Sequence, residues 1–564
     1  MSQGLGAILT FQRYLTDVEN RLQILENALG KLFPSGELDD VTRSLLADET
    51  PRDQDSLTQS FIDTNESTLK DFLQEPGPTA LENALDDSQI NTDYDLTGVG
   101  PEGQHLSLEA FSSKDNSPND LLASAEKEKE FADTYFSRYH KLYPFVHEAT
   151  FRLEFQDRLL SPSSQSVLAN MILAFGSWLA PENHSDLGVQ YYRKAQQHLG
   201  QIALTDNESI TMVQALLLLS DFAQKNGDPD ESWQYVATAV RKAISLNLHV
   251  ELTDPGLTAL DREIRRRIWW ATYCAESCSA RIYGRPLVLP EDGLITVRPV
   301  TNTPNQNPTS PTASFPVPTD DPTIYSGLIQ QSNYHRMAND IYRRVLSSPT
   351  VTPQLVNSFE KMIQNWHSDN PAACARLVSG SMEQWKLTAW RRQFLCDQSL
   401  HLLIHRPLLL QWLQNKDINK DTALPAEEHA AEAQCRAAGL AIARETIAQI
   451  SESIMEGTYD KMTLAFTLHV LFHALLVPVI LIKGDRSSPK SISYIQDVER
   501  AKSVMEYLSV EGDTLSKYFV TVLDRLFAVA RQSTRHGFDQ GPSRDDLLST
   551  KRDGPQTSNN NIFW

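Results

Sequence analysis

The sequence predicts an all-α protein: a multi-helix body of stacked antiparallel helix hairpins, preceded by a short coiled coil and an acidic disordered linker and followed by a disordered tail. Three observations predict it. Leu15, Val18, Leu22, Leu25, Leu29 and Leu32 are spaced alternately three and four apart, which is a heptad seam. Leu260 to Pro290 carries Ile264, Ile268, Ala271 and Thr272 on a single helical stripe. Thr211 to Gln224, apolar all round, meets the turn Asn226-Gly227-Asp228-Pro229 and then a return helix that presents Trp233, Val236, Val240 and Ile244. Such hairpins in series suggest an α-solenoid-like or orthogonal bundle, without a fixed-period repeat.

The elements follow in order. The seam occupies residues 12–34, stops at Pro34 and predicts pairing of two chains, as homodimer or heterodimer. Residues 35–130 hold 23 acidic against 6 basic residues and no long apolar periodicity, so they are expected to stay disordered. Phe61, Leu69, Phe72 and Leu73 punctuate that acidity, which suits either a solvated linker or an activation segment. The ordered body runs from 131 to 531. Phe131, Tyr135, Phe136, Tyr139, Leu142 and Tyr143 line an aromatic helix ended by Pro144, and a second helix covers about Val167 to Ala180.

The hairpin comes next, with Asp230 expected as the cap of its second helix. In Leu260–Pro290, Thr258 caps the start, Gly284 supplies the left-handed exit residue and Pro286 holds Arg285 extended. Arg265, Arg266 and Arg267 cannot share a face at about 100° per residue, so at least one must turn inward to a carboxylate or carbonyl partner. Trp269 and Trp270 are expected in the core. Seven prolines between Pro299 and Pro322 make residues 301–322 an exposed loop. Helices resume at about Tyr325 to Ser347, with His335, Arg336, Arg343 and Arg344 as a solvated basic face, then at Met382 to Trp412, Ala430 to Met455, Lys461 to Ile482 and Val498 to Ala530. Residues 532–564 read as a disordered tail ending in Phe563-Trp564, a short docking hook.

The formal charge of −21 excludes a surface that grips phosphate everywhere, so any DNA contact needs a local patch or a partner. Five cysteines, odd in number and set in apolar segments, suit reduced thiols inside a cell; Cys274 and Cys278, one turn apart, read as buried structural thiols. Thr463 to Ile482 is 20 residues long without a formal charge, yet two histidines, two threonines and Pro478 favour a core helix over a membrane span. Two histidine pairs, His401/His405 and His469/His473, have metal-site spacing, but no carboxylate accompanies them three residues on. Hydrogen-bonded core histidines are therefore expected, and no metal ligand is assigned. Gly-rich phosphate loops, a nucleophile elbow and a Cys-His pairing with a recognisable orienting group are missing, so no catalytic residue is assigned and the chain reads as a non-enzyme.

REIRRRIWW at Arg262 to Trp270 with YGRPLVLPED at Tyr283 to Asp292 resembles the signature of the middle homology region, the regulatory domain of fungal binuclear-zinc-cluster transcription factors. YFSRYHKLYPFVHEATF at Tyr135, VQALLLLSDFAQKNGDPDESWQYVATAVRKAISLNLH at Val213 and HLLIHRPLLL at His401 agree in order, the second being most similar to the galactose and lactose regulators. The resemblance covers roughly residues 131–480 and marks Arg265, Arg266, Arg267, Trp269, Trp270, Gly284, Arg285 and Pro286 as the regulatory-domain motif. It implies a nuclear transcription regulator that contacts transcription machinery or a regulatory protein and responds to a small-molecule effector between its helices.

In that family a coil of this kind follows a six-cysteine, two-zinc DNA-binding module. Before Gln12 the chain reads MSQGLGAILTF, without cysteine, histidine or basic residue. No cofactor is therefore expected in these residues; zinc, and DNA binding, would come only with a cluster upstream or on a partner. The alternative is a helical adaptor or inhibitory partner of an intact zinc-cluster regulator.

Overall fold

The computed structural model describes residues 122–155, 162–181, 185–202, 209–304, 315–348, 350–371, 383–417, 426–457, 459–485, 488–510 and 520–521. The heptad seam Leu15 to Leu32, the acidic segment up to residue 121, the tip of the Pro-rich loop, the expected closing helix beyond residue 510 except 520–521, and the tail 532–564 lie outside the described residues.

Among the described residues the body is built from thirteen α-helices, with no strand. The first, α1 (Ala125–Thr134), starts ahead of the expected boundary at Phe131, because Ser124 caps it by accepting from the Lys127 amide. It widens into one π-type turn over Tyr135–Tyr139, which keeps the aromatic rings inward. The short helix α2 (Glu148–Glu154) was not expected. Helix α3 (Ser164–Leu179) is buried along almost its whole length and packs on α1, α4 (Ser185–Gly200) and α5 (Ile210–Lys225). Gly176 makes the α1 contact possible, since a Cβ there would lie 2.0 Å from the Phe131 carbonyl oxygen.

Helix α6 (Pro229–Ser245) folds back on α5 as the Asn-Gly-Asp-Pro turn predicts. Its cap is Asp228 rather than Asp230: Pro229 fits the first helical position, where no amide donor is needed, and leaves Asp228 to accept from the Glu231 amide. Helix α7 (Ala259–Ile282) lies against α5, α6 and α8 (Ile324–Ser347). Then come α9 (Pro353–Asp369), α10 (Gln384–Asp417), α11 (Ala426–Met455), α12 (Leu464–Gly484) and α13 (Ser491–Val510).

Three apolar cores hold the stack. One joins α1 to α7 with the start of α8, a second lies among α8, α9, α10 and α11, and a third joins α10 to α13. Lys461–Gly484 is the one described stretch long and apolar enough to cross a membrane, and it is mostly buried in the protein as the centre of the third core.

Candidate functional site

The arginine-tryptophan helix is built from its capping box outward. Thr258 and Asp261 satisfy each other's amides at the start of α7, which fixes the register of the three arginines that follow. Arg265 points to the Leu246 carbonyl at 2.6 Å, ending α6. Arg266 pairs with Glu251, whose carboxylate is held below its usual range, since the bonds from Arg266 and the Arg298 amide outweigh burial. Arg267 is buried, reaches Glu263 at 3.1 Å and lies 3.7 Å from the centre of the Tyr325 ring. Glu263 has no exposed surface and also accepts from the Thr301 amide and hydroxyl, at 3.0 and 2.8 Å.

Trp269 and Trp270 are both buried; the Trp270 indole donates to the Arg298 carbonyl at 2.8 Å, while Trp269 lies against His249 and Tyr273. At the exit, Gly284 has φ of 61°, a conformation that side chains disfavour. Arg285 then bonds Asp230 at 2.7 Å and covers the Trp233 ring, the Tyr342 hydroxyl caps its carbonyl at 2.9 Å, and Pro286 is exposed. The motif residues thus tie α6, α7, α8 and the Pro-rich loop together; they scaffold rather than line a site.

The carboxy-terminal half of α7 lines a cavity of about 110 Å³. Its walls come from the turn after α1, α5, α7, α8, α10 and the turn leading into α12, with Tyr139, Cys278, Gln331, Arg392 and Phe466 among the lining residues. At one wall Tyr139 donates to Asp221 at 2.7 Å, and Lys225 reaches the other oxygen of that carboxylate at 2.6 Å. Arg392 lies over the Tyr143 ring at 4.9 Å, and among the described residues no carboxylate pairs with it. Burial opposes its charge, yet the tyrosine and thiol groups around it leave the guanidinium firmly protonated.

Beside Arg392, three helices bring Cys278, His335 and Cys396 together, with donor atoms all within 4.8 Å of one another. His335 was expected on a solvated basic face, but it is fully buried. It sits on the inward stripe of α8 with Ala338, Asn339 and Tyr342, while Arg336 and Arg343 face Asp292 outside. Arg281 donates to His335 Nδ1 at 2.8 Å and to Asn339 Oδ1 at 3.1 Å. A guanidinium has only donors, so Nδ1 must accept and the ring proton resides on Nε2, 3.4 Å from Cys278 Sγ. Burial, with Arg281 and Arg392 nearby, keeps the imidazole neutral.

Two sulfurs and an imidazole are a donor set that zinc accepts, but this proton arrangement occupies the Nε2 lone pair and two cations border the trio. The residues therefore fit a thiolate better than a metal. Nothing in the sequence signals this cluster, whose members lie on three separate helices.

The histidine pairs are also placed. His401 Nδ1 and His405 Nε2 bond one oxygen of Glu360 on α9, at 2.8 and 3.0 Å, and Asp397 lies between His367 and His401. His469 and His473 stack on one another with ring centres 4.7 Å apart. Among the described residues the four do not gather into a metal-binding set.

Residues 132–368 match the fungal specific transcription factor domain. The chain is similar to the lactose regulatory protein LAC9 of Kluyveromyces lactis, 22% identical over 494 residues, covering 83% of this chain and 52% of that protein. It is similar to an ABC-transporter-regulating transcription factor of Aspergillus fumigatus, 24% identical over 42% of this chain and 28% of that protein. A third relative is the thiamine repressible genes regulatory protein thi1 of Schizosaccharomyces pombe, 22% identical over 44% of this chain and 32% of that one. The chain thus spans about half the length of LAC9 and less of the others.

Proposed function

We propose that this chain, whose residues 132–368 are a fungal specific transcription factor domain, is a nuclear transcription regulator whose helical body reads a small molecule in the α5–α7–α8–α10 cavity. The observation that carries the effector is Arg392: a guanidinium lining the cavity, with no carboxylate paired to it among the described residues, calls for a ligand that brings a carboxylate, phosphate or carbonyl oxygen. At about 110 Å³ the space approaches that of cavities that take benzene (~150 Å³), so the occupant is small. Its arrival would press on α7 and α10 together, and through the Arg267–Glu263 pair on the Pro-rich loop.

The heptad seam at Leu15, Val18, Leu22, Leu25, Leu29 and Leu32 supports pairing with a second copy or a related chain, and the acidic segment offers a contact for transcription machinery. Five cysteines fall short of the six a binuclear zinc cluster takes, so zinc-dependent DNA reading is assigned to a cluster outside these 564 residues. The test fuses the full chain to an unrelated DNA-binding domain above a reporter, in activation and repression formats. A change in output that Arg392→Met alters is expected; an unmoved reporter in both formats would overturn the reading.

A further inference from the structure

We propose that Cys278 is an oxidant-reactive thiolate, that small hydroperoxides are its substrate class, and that Cys396 is the thiol that resolves it into a disulfide joining α7 to α10. The proposal shares Arg392 and the cavity with the effector reading above, but its test reads thiols rather than a reporter.

Four structural features converge on Cys278. It lines the cavity and is only partly buried, whereas Cys274, Cys396 and Cys435 are buried. His335 Nε2 points its proton at the sulfur from 3.4 Å, in the tautomer that Arg281 enforces. Arg281 and Arg392, with no carboxylate partner among the described residues, leave local positive charge for an anion to balance. The Cys396 thiol lies alongside and donates to the Gln331 side-chain oxygen at 3.8 Å.

The charged and titratable groups around this point are Arg281 and Cys274 on α7, Tyr334 and His335 on α8, Arg392 and Cys396 on α10, Tyr139 and Tyr143 after α1, and the Asp221–Lys225 pair on α5. The Cys396 sulfur beside it, joined by His335 and Arg392, holds the Cys278 thiol well below its ordinary range despite burial, while the same neighbour and burial hold Cys396 well above. Burial also raises Cys274. Cys278 thus faces a proton donor and Cys396 a proton acceptor, the division between attacking and resolving sulfur that two-step oxidation requires.

In the first step the Cys278 thiolate attacks the terminal peroxide oxygen. The O–O bond breaks, the departing alkoxide takes a proton and leaves as the alcohol, and Cys278 carries a sulfenic acid. In the second step the Cys396 sulfur, giving up its proton, attacks the sulfenic sulfur; the S–S bond forms, the S–O bond breaks and water leaves. Two thiols lose two electrons, and the hydroperoxide gains them. Drawing the sulfurs from within 4.8 Å to bonding distance pulls α7 towards α10 and narrows the cavity between them.

The test maps thiols on the full chain. At pH 6, iodoacetamide should label Cys278 on the order of tenfold faster than Cys274 or Cys435. Hydrogen peroxide, followed by alkylation and proteolysis, should yield a Cys278–Cys396 linked peptide. Cys396→Ser should instead leave Cys278 as a sulfenic acid that dimedone captures. Cys278 labelling no faster than Cys435, absence of the linked peptide from the native chain, or stoichiometric zinc whose removal unmasks both thiols would each overturn the proposal; the native-chain measurements hold even if the variant fails to fold.

Discussion

Glu263 and Arg267 sit one helical turn apart on α7, with the carboxylate wholly enclosed and the guanidinium bonded to it at 3.1 Å while stacked on Tyr325. The same carboxylate collects the backbone amide of Thr301, so one acidic side chain anchors two arginines and the start of the Pro-rich loop. Removing it leaves Arg267 buried without a carboxylate partner. Glu263→Ala should cost about 3–5 kcal/mol in urea unfolding, and an unchanged midpoint would show that the loop and arginines rearrange freely.

The tryptophan pair separates packing from hydrogen bonding. Trp269→Ala should cost about 3–5 kcal/mol because its ring has no exposed surface. Trp270→Phe keeps most of the ring but loses the bond to the Arg298 carbonyl, at about 1 kcal/mol. Thermal unfolding of the two variants should rank them in that order.

The Glu360 cluster predicts a pH window. Burial opposes charge on His401, but its bonds to Asp397 and Glu360 prevail and raise it to about 10. Burial would raise Glu360, but bonds from His401 and His405 prevail and lower it to about 2. A raised base gives its full stability below its ordinary value of 6.5 and loses it as pH climbs towards 10. A lowered acid gives its stability above 4.5 and loses it as pH falls towards 2. The stability advantage over Glu360→Gln should therefore peak between those ordinary values, at about 2 kcal/mol given the partial exposure of these side chains. Urea titrations of both proteins across pH would expose a flat difference if the cluster contributes nothing.

Gly176→Ala tests the contact between α1 and α3. The added methyl would overlap the Phe131 carbonyl, so the helices must separate and the aromatic rings of α1 must repack. A loss of roughly 1–3 kcal/mol is expected, read as a lowered urea midpoint. A gain, as helix propensity alone would give, would contradict the close approach.

Much of the fold was legible where local chemistry and long periodicity coincide. For α7, the Thr258–Asp261 spacing, the apolar stripe and Gly284 all point to the same helix. In α9, Val356, Phe359, Ile363 and Trp366 keep helical spacing behind Thr352-Pro353, so its signal was present although the segment was not assigned. The apolar stripe of α8 separates His335 from Arg336 and Arg343 by helical phase, which a count of basic residues obscures. What no local pattern carries is the meeting of Cys278 with Cys396, or of Glu360 with His401, because each pair depends on how distant helices dock.

Lys461 donates to the Trp178 carbonyl at 3.0 Å and sits 4.4 Å from the centre of the Trp178 ring, clasping the first core across 283 positions of chain. The recognised domain ends at residue 368, yet Arg392, Met462 and Phe466, which complete the cavity wall, come later. The packed unit is therefore larger than the matched domain. A fragment cut at that boundary would lose the α10 and α12 walls of the cavity, so boundaries for expression should follow these spatial seams instead of the limits of the matched domain.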